Sequence, residues 1–477
     1  MAHQKVKIIE QCNVSPPPST VPSTSLPLTF FDIPWVTCGP VQSIFFYDFP
    51  FSCHHFLQTV LPTLKYSLSL TLKHFFPFAG NLVFPTRPHF PHILYSEGDS
   101  LSFTIAESNA VFPCLIGDTA RDVRDLHPCV PVLPTPSDKE DGTWFFPLMA
   151  IQLTIFPNQG FSICMSLRHV VDGRAFHHFM KSWAYICRST TCGGGDLASS
   201  LEGSHALPFH NRDIIEDPKG LKITLLEELW NLPRENMKKL IDRSITNVVI
   251  NNNEKVRAVF ILNRDHIEKL KKWVYSECKR NGFDFESLHV STFVVTSALM
   301  WVCKVQSEVT NPIPNNDEIY KLAFLADCRN RLEFSIPSTY FGNCVVGHMA
   351  SLKRSKLVGG NGIVEAAIAI GREVREFQFD ALKGVERCMV DAKEIGQLGQ
   401  HVAITGSPKL GAYAIDFGLG KPKKCEILHI EHSGSISLSD CRDDEGGVEV
   451  GLVLGRVQMA DFSTILKDYL ENVASSD

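Results

Sequence analysis

The chain has 477 residues, 44% hydrophobic and 21% charged, with a formal net charge of −6. That is ordinary globular composition with ample material for a large core. A negative balance excludes a broad nucleic-acid surface, which needs a basic field, although the short cluster Lys421, Lys423 and Lys424 suits the phosphates of one small anion.

Single cores stop growing at roughly 250–300 residues, so two packed domains are expected. Residues 1–14 hold no apolar run of signal-peptide length. The longest apolar stretches, near 145–156 and 293–303, are interrupted by polar residues and fall short of the ~18–20 that span a bilayer. The fifteen cysteines are scattered, with no C-x-x-C pair, which argues against a disulfide framework or structural zinc. A cytosolic protein is expected.

In chain order, the Pro/Ser/Thr-rich stretch 15–28 reads as an ordered arm, with disorder as the alternative. Residues 43–47 read as a strand and 56–73 as a helix. Along Phe161, Ile163, Met165, Leu167 and His169 every second residue faces one way, while Ser162, Cys164, Ser166 and Arg168 face the other. Period two predicts a strand with one buried face, and His169 ends it on that face. Asp172 and Gly173 make a turn, after which Phe176, Phe179, Met180, Trp183, Ile186 and Cys187 recur at helical spacing. Residues 189–204, with three successive glycines, read as an interdomain crossing. Beyond it follow a strand at 256–262, a helix at 264–279, a buried helix at 288–305, a helix at 363–379 and a last one at 459–473. The expectation is an α/β protein with a first domain at 1–188, a crossover at 189–219 and a second domain at 220–477.

His169 and Asp172 therefore sit on a strand–turn–helix junction, where side chains reach into a cleft. A neutral imidazole there suits general-base work on a bound alcohol; the alternative is a core histidine satisfied by backbone. No G-x-S-x-G, H-E-x-x-H or P-loop pattern occurs. His177 and His178 are adjacent on a helix and face different directions, so no metal site is expected.

Five segments, in order, resemble the BAHD acyltransferases of plants: Leu26–Asp32, Leu72 with Phe75–Gly80, His169–Gly173, Tyr340–Cys344 and Asp416–Gly420. The Tyr340–Cys344 segment, Y-F-G-N-C, is similar to the branch that uses malonyl-CoA. The resemblance implies two chloramphenicol-acetyltransferase-like domains with a channel between them, entered by the CoA thioester from one face and the acceptor from the other. It implies His169 as general base, Asp172 paired with an arginine to hold the geometry, and Asp416 in a mainly structural loop whose aspartate is sometimes given a catalytic part. The implied reaction moves malonyl from malonyl-CoA, a co-substrate rather than a bound cofactor, to a sugar hydroxyl of a flavonoid, anthocyanin or phenolic glycoside. A monomer without membrane or nucleic-acid partner is implied, and a hydroxycinnamoyl-CoA donor also fits the branch.

Two departures stand out. The family has three residues between histidine and aspartate; here there are two, Val170 and Val171. Anchoring on Asp172 would put Arg168 in the histidine's place, whereas strand parity keeps His169, because a one-residue slip flips every side chain. The missing residue then falls in the turn. The expectation is a lost or re-aimed salt bridge at Asp172, and with it a weakened enzyme or a non-catalytic ligand-binding relative. Leu419 stands where the family has Trp, a milder loss of packing.

Selecting malonyl-CoA requires a cation for its carboxylate, and arginine matches one bidentately. Arg174, Arg329 and Arg331 are the candidates, each with a structural ion pair as the alternative, including partnership with Asp172. Ser291 and Thr292, heading an apolar helix, resemble the stretch beside the CoA arm of the family. Free N–H groups at a helix start suit phosphates, and an N-cap is the alternative.

Overall fold

The computed structural model describes residues 6–191, 207–242, 255–283, 290–308, 315–391, 393 and 400–474. Three sheets take up the β-rich segments. The first has the spatial order Val6–Val14, Leu101–Ser108, Met149–Phe156, Gly160–Leu167, Val41–Asp48 and Lys424–Ile427. The second runs Val345–Lys353, Ile319–Asp327, His401–Gly406, Ile436–Asp440, Val448–Gly455, Lys255–Leu262 and Arg121–Asp122. A third, of short strands, includes Thr24–Pro27, so part of the proline-rich arm is ordered by pairing with His92–Tyr95.

Gly160–Leu167 is an interior strand and is buried along its whole length. Phe161, Ile163, Met165 and Leu167 join the large core formed with the helices Leu61–His74 and Gly173–Thr191. The expected single buried face is corrected here, because Cys164 packs into a second cluster with Ile44, Phe46, Phe112 and Leu126. The opposite face is small and polar but not wet: Ser166 donates to the Pro131 carbonyl at 2.6 Å and accepts from Gln42 Nε2 at 3.2 Å. Alternation of small polar residues reads as a solvent face in sequence, yet paired hydroxyls can be buried.

Most helices fall near their expected bounds. Arg264–Arg280, Gly362–Phe379 and Arg456–Ala474 cover the second sheet's core with Thr292–Gln306, which buries Trp301 completely. The single helix expected at 56–73 is two, Cys53–Thr59 and Leu61–His74. Pro62 sits in the first turn of the second, where its missing N–H is tolerated, but it cannot continue the first. The strand Val6–Val14 was not foreseen; it lies at a sheet edge, mostly exposed, and so lacks the alternation that betrays a half-buried strand.

Strand pairing and helix packing cross between the two parts of the chain. Lys424–Ile427 pairs with Val41–Asp48 in the first sheet, and Arg121–Asp122 pairs with Lys255–Leu262 in the second. Leu221–Trp230 and Arg234–Ile241 bury Leu225, Leu229 and Ile241 in the first core, although they follow the crossover. A glycine-rich stretch marks where the chain crosses, but apolar faces decide where the next helices dock. Residues 192–206 of that crossover lie outside the described residues, and 189–191 close the helix Gly173–Thr191.

Candidate active site

The strand Gly160–Leu167 ends opposite Val41 and Met149, and the chain then turns. Arg168 leaves on the far side from the cavity described below. Its guanidinium lies over the Phe146 ring at 5.0 Å and donates to the carbonyls of Pro147 and Ile241. His169, half-buried, stacks on Trp35 with ring centroids 4.7 Å apart and 17° between planes. Its Nδ1 is buried without a hydrogen-bond partner, whereas Nε2 is not among the buried unpaired atoms. Burial pulls the His169 pKa below its ordinary value, against the opposing charge of Asp172. The ring is therefore neutral near pH 7, as a proton acceptor must be.

The shortened spacing is absorbed in the turn. Val170 N–H donates to the Arg168 carbonyl at 2.6 Å, a three-residue turn, and both valines are buried. Asp172 then arrives in place. Its Oδ1 accepts the Ala175 N–H at 3.0 Å and caps the helix. Its Oδ2 lies 2.8 Å from Arg329 Nη1 and accepts the Cys344 N–H at 3.0 Å. The salt bridge expected to be lost or re-aimed is present and buried, both side chains being 3% exposed.

What holds the turn comes from two distant segments whose structural part the sequence reading missed. Asn343 Nδ2 donates to the His169 carbonyl at 3.1 Å and to Asp32 Oδ1 at 3.0 Å. Asp172 N–H donates to the Gly342 carbonyl at 3.3 Å. Asp32 also accepts from Thr29 and pairs with the buried Arg212. Gly342 is required for close approach, since a Cβ there would lie 2.7 Å from the Tyr340 ring. The segments 26–32, 169–173 and 340–344 thus meet in one buried polar network. Their presence together in the sequence was the available signal; which atoms joined them was not.

His169, Asp172 and Arg174 line a cavity of about 2330 Å³. Trp35 and Phe31 share their side, while Thr292, Phe324, His348 and Phe377 come from the part of the chain beyond the crossover. Phe293, Phe324, His348 and Phe377 form a run of ring contacts at 5.2, 5.8 and 4.7 Å along that wall.

Of the other expected site residues, Arg329, Arg331 and Thr292 also line the cavity, and Ser291 and Asp416 do not. The three arginines converge on Asp327: Arg174 Nε at 2.9 Å, Arg329 Nη1 at 3.1 Å, and Arg331 Nη1 on its carbonyl at 2.8 Å. Arg329, sealed between Asp172 and Asp327, is a structural partner rather than a clamp for a donor carboxylate. Arg331 also lies over the Phe377 ring at 4.8 Å. Arg174 keeps a half-exposed side chain on the cavity wall.

Ser291 is the N-cap of Thr292–Gln306, accepting the Val294 N–H at 3.3 Å, and of the two only Thr292 lines the cavity. Asp416 does not line it: Oδ1 accepts the N–H groups of Gly418 and Gly420, tying up its own loop. That geometry makes Asp416 a brace of its own loop, without contact with the cavity. Leu419 is half-buried against the first core, beside Phe417, whose ring meets Trp183 at 4.9 Å. The lysine cluster also divides: Lys421 lines the cavity, Lys423 pairs with Asp48, and Lys424 is buried between Asp118 and Glu449. Among the described residues no group of three His, Cys, Asp or Glu side chains could hold a metal ion, and no helix is long and apolar enough to cross a membrane.

Residues 4–468 match the Transferase family. The chain is 41% identical, over the full length of both, to a coumaroyl-CoA:anthocyanidin 3-O-glucoside-6''-O-coumaroyltransferase of Arabidopsis thaliana. It is 35% identical to a malonyl-coenzyme A:anthocyanin 3-O-glucoside-6''-O-malonyltransferase of Dahlia pinnata, with 98% of each chain covered. Among solved structures, vinorine synthase superposes with a TM-score of 0.65 at 17% identity, covering 96% of each chain, and that likeness carries the fold alone.

Proposed function

As the chain belongs to the BAHD acyltransferase family, we propose that this acyltransferase moves an aromatic, hydroxycinnamoyl-class acyl group from its CoA thioester to a sugar hydroxyl of an anthocyanin or phenolic glucoside. The observation that carries the reading is His169: neutral, on the cavity wall, and with its main chain clamped by Asn343. Nε2 takes the proton of the acceptor hydroxyl as that oxygen attacks the thioester carbonyl, and returns it to the departing CoA sulfur. No covalent enzyme intermediate is needed. Asp172 and Arg329 act by fixing the turn, which matters because a ~1 Å misplacement costs about 10²-fold in rate.

Two observations support the aromatic donor. The cavity wall carries the ring series Phe293, Phe324, His348 and Phe377. Arg174 and Arg329 already pair with the Asp327 carboxylate, and Arg331 donates to its main-chain carbonyl, so at the first two a malonyl carboxylate would compete with a resident anion. The coumaroyltransferase relative agrees. Malonyl-CoA is the second reading, favoured by the half-exposed Arg174 and by the Tyr340–Cys344 segment. The test is CoA release and product mass with p-coumaroyl-CoA and malonyl-CoA, each offered with anthocyanidin 3-glucosides and simple phenolic glucosides. Turnover with coumaroyl-CoA and little with malonyl-CoA is expected; the reverse preference would sink the donor assignment. Folded protein that binds CoA and transfers neither group would leave a non-catalytic relative.

A further inference from the structure

The strand Val41–Asp48 has Gly160–Leu167 on one side and Lys424–Ile427 on the other, both antiparallel to it. Leu167 lies opposite Val41 and Ile427 opposite Ser43. Two residues past the end of each flanking strand comes a histidine: His169 after Leu167, and His429 after Ile427. Both line the same cavity. Two interstrand spacings, ~10 Å, separate the flanking main chains, within the combined reach of two imidazoles on one reacting group.

The two rings are prepared for opposite tasks. His429 Nδ1 accepts the Gln42 backbone N–H at 3.2 Å. A backbone N–H can only donate, so Nδ1 is bare and the proton of the neutral ring is fixed on Nε2. That nitrogen has no partner among the described residues and is not among the buried unpaired atoms, so it opens on the cavity that the ring lines. Burial takes the His429 pKa down to about 4, and the positive charge that His169 gains on protonation pushes the same way. His429 therefore stays a neutral donor while its neighbour takes up a proton.

We propose that His429 Nε2–H donates a hydrogen bond to the acyl carbonyl oxygen of the thioester, the atom that gathers negative charge when the acceptor attacks. The assignment rests on His169 being the base. The acceptor proton passes to His169, the acceptor oxygen bonds to the carbonyl carbon, and the C=O π pair moves onto the oxygen that His429 meets. Collapse re-forms C=O and breaks the C–S bond, and the CoA sulfur leaves with the proton from His169. His429 gives up no proton at any stage. A donor set on the acceptor oxygen would instead engage the lone pair that must attack, so the carbonyl oxygen is the productive target.

Two variants separate this part from a structural one. His429→Asn retains a side-chain oxygen where Nδ1 takes the Gln42 N–H but draws its amide N–H back to the ring's Cδ2 position, short of the cavity donor. His429→Gln restores an N–H near the position of Nε2. Loss of one such donor lowers kcat by ~10²-fold or more. The expected result is that loss in His429→Asn, with the KM of both substrates and the unfolding midpoint unchanged, and substantial recovery of kcat in His429→Gln. A rise in acceptor KM at unchanged kcat would overturn the proposal, as would wild-type rates in His429→Asn. Equal loss of folding in both variants would also overturn it, in favour of a structural ring. A wild-type protein that releases no CoA, or an active His169→Ala, fails the underlying reading instead, and is told apart because neither depends on His429.

Discussion

The turn Arg168–Gly173 and the loop Ile415–Gly420 each centre on an aspartate in a family-like motif, yet their carboxylates work at different range. Asp172 is held by Arg329 and Cys344, more than 150 positions away in the chain, and caps the helix that starts beside it. Asp416 is satisfied by Gly418 and Gly420, within four positions. The first ties two halves of the molecule together at a cavity wall; the second shapes one loop behind it. An aspartate whose partners are distant carries the geometry of a site, whereas one with local partners carries only the geometry of its own turn.

Removing the proposed base should give the largest effect on either side of that comparison. His169→Ala should lower kcat by ~10²–10⁴-fold, the usual worth of general-base catalysis, with the fold intact. Because burial lowers the His169 pKa and the proposed base acts in its neutral form, the wild-type rate should fall on the acid side only below the ordinary imidazole value of ~6.5. A pH–rate profile checks both points: an acid limb centred above that value, or activity retained in the variant, would remove His169 from the mechanism.

The next test bears on the turn itself. A glycine inserted between Val171 and Asp172 restores the family's spacing, but the existing turn already delivers Asp172 to Arg329 at 2.8 Å. An added residue introduces up to ~3.8 Å of chain. It should displace the carboxylate and lower kcat by about 10²-fold, with a loss of up to ~3–5 kcal/mol if the buried pair breaks. A sharp rise in rate would mean instead that the short spacing is a lesion.

Sequence alone reached the junction because period two and helical spacing meet there: Phe161 to Leu167 fixed the parity that sends His169 to the cavity and Arg168 away from it. Motif order likewise pointed to the family and its fold. The partners remained out of reach. Nothing in the spacing of Asp32, Arg212 or Asn343 says that they meet beneath His169, since those contacts join positions up to 311 apart. The convergence of the three arginines on Asp327 depends on where the Ile319–Asp327 strand ends, which their spacing does not show. Lys424 stands beside Lys421 and Lys423 in sequence, but its strand exchange into the first sheet, which buries it, is a matter of topology.

The smallest effect should come from Asp416, and it decides whether range of contact is the right criterion. Asp416→Ala removes one acceptor shared by two backbone N–H groups. The loop is partly exposed, so water can replace the lost bonds, and the stability loss should be only ~1–2 kcal/mol. Its carboxylate does not line the cavity, and its carbonyl still accepts from Arg188, so kcat should hold while the unfolding midpoint drops slightly. If kcat fell as far as in the insertion variant without matching loss of stability, a locally satisfied aspartate would be acting at a distance. The contrast between the two motifs would then fail. Unchanged turnover would leave Asp172 as the aspartate that governs the site and Asp416 as the brace of the loop that packs Phe417 against Trp183.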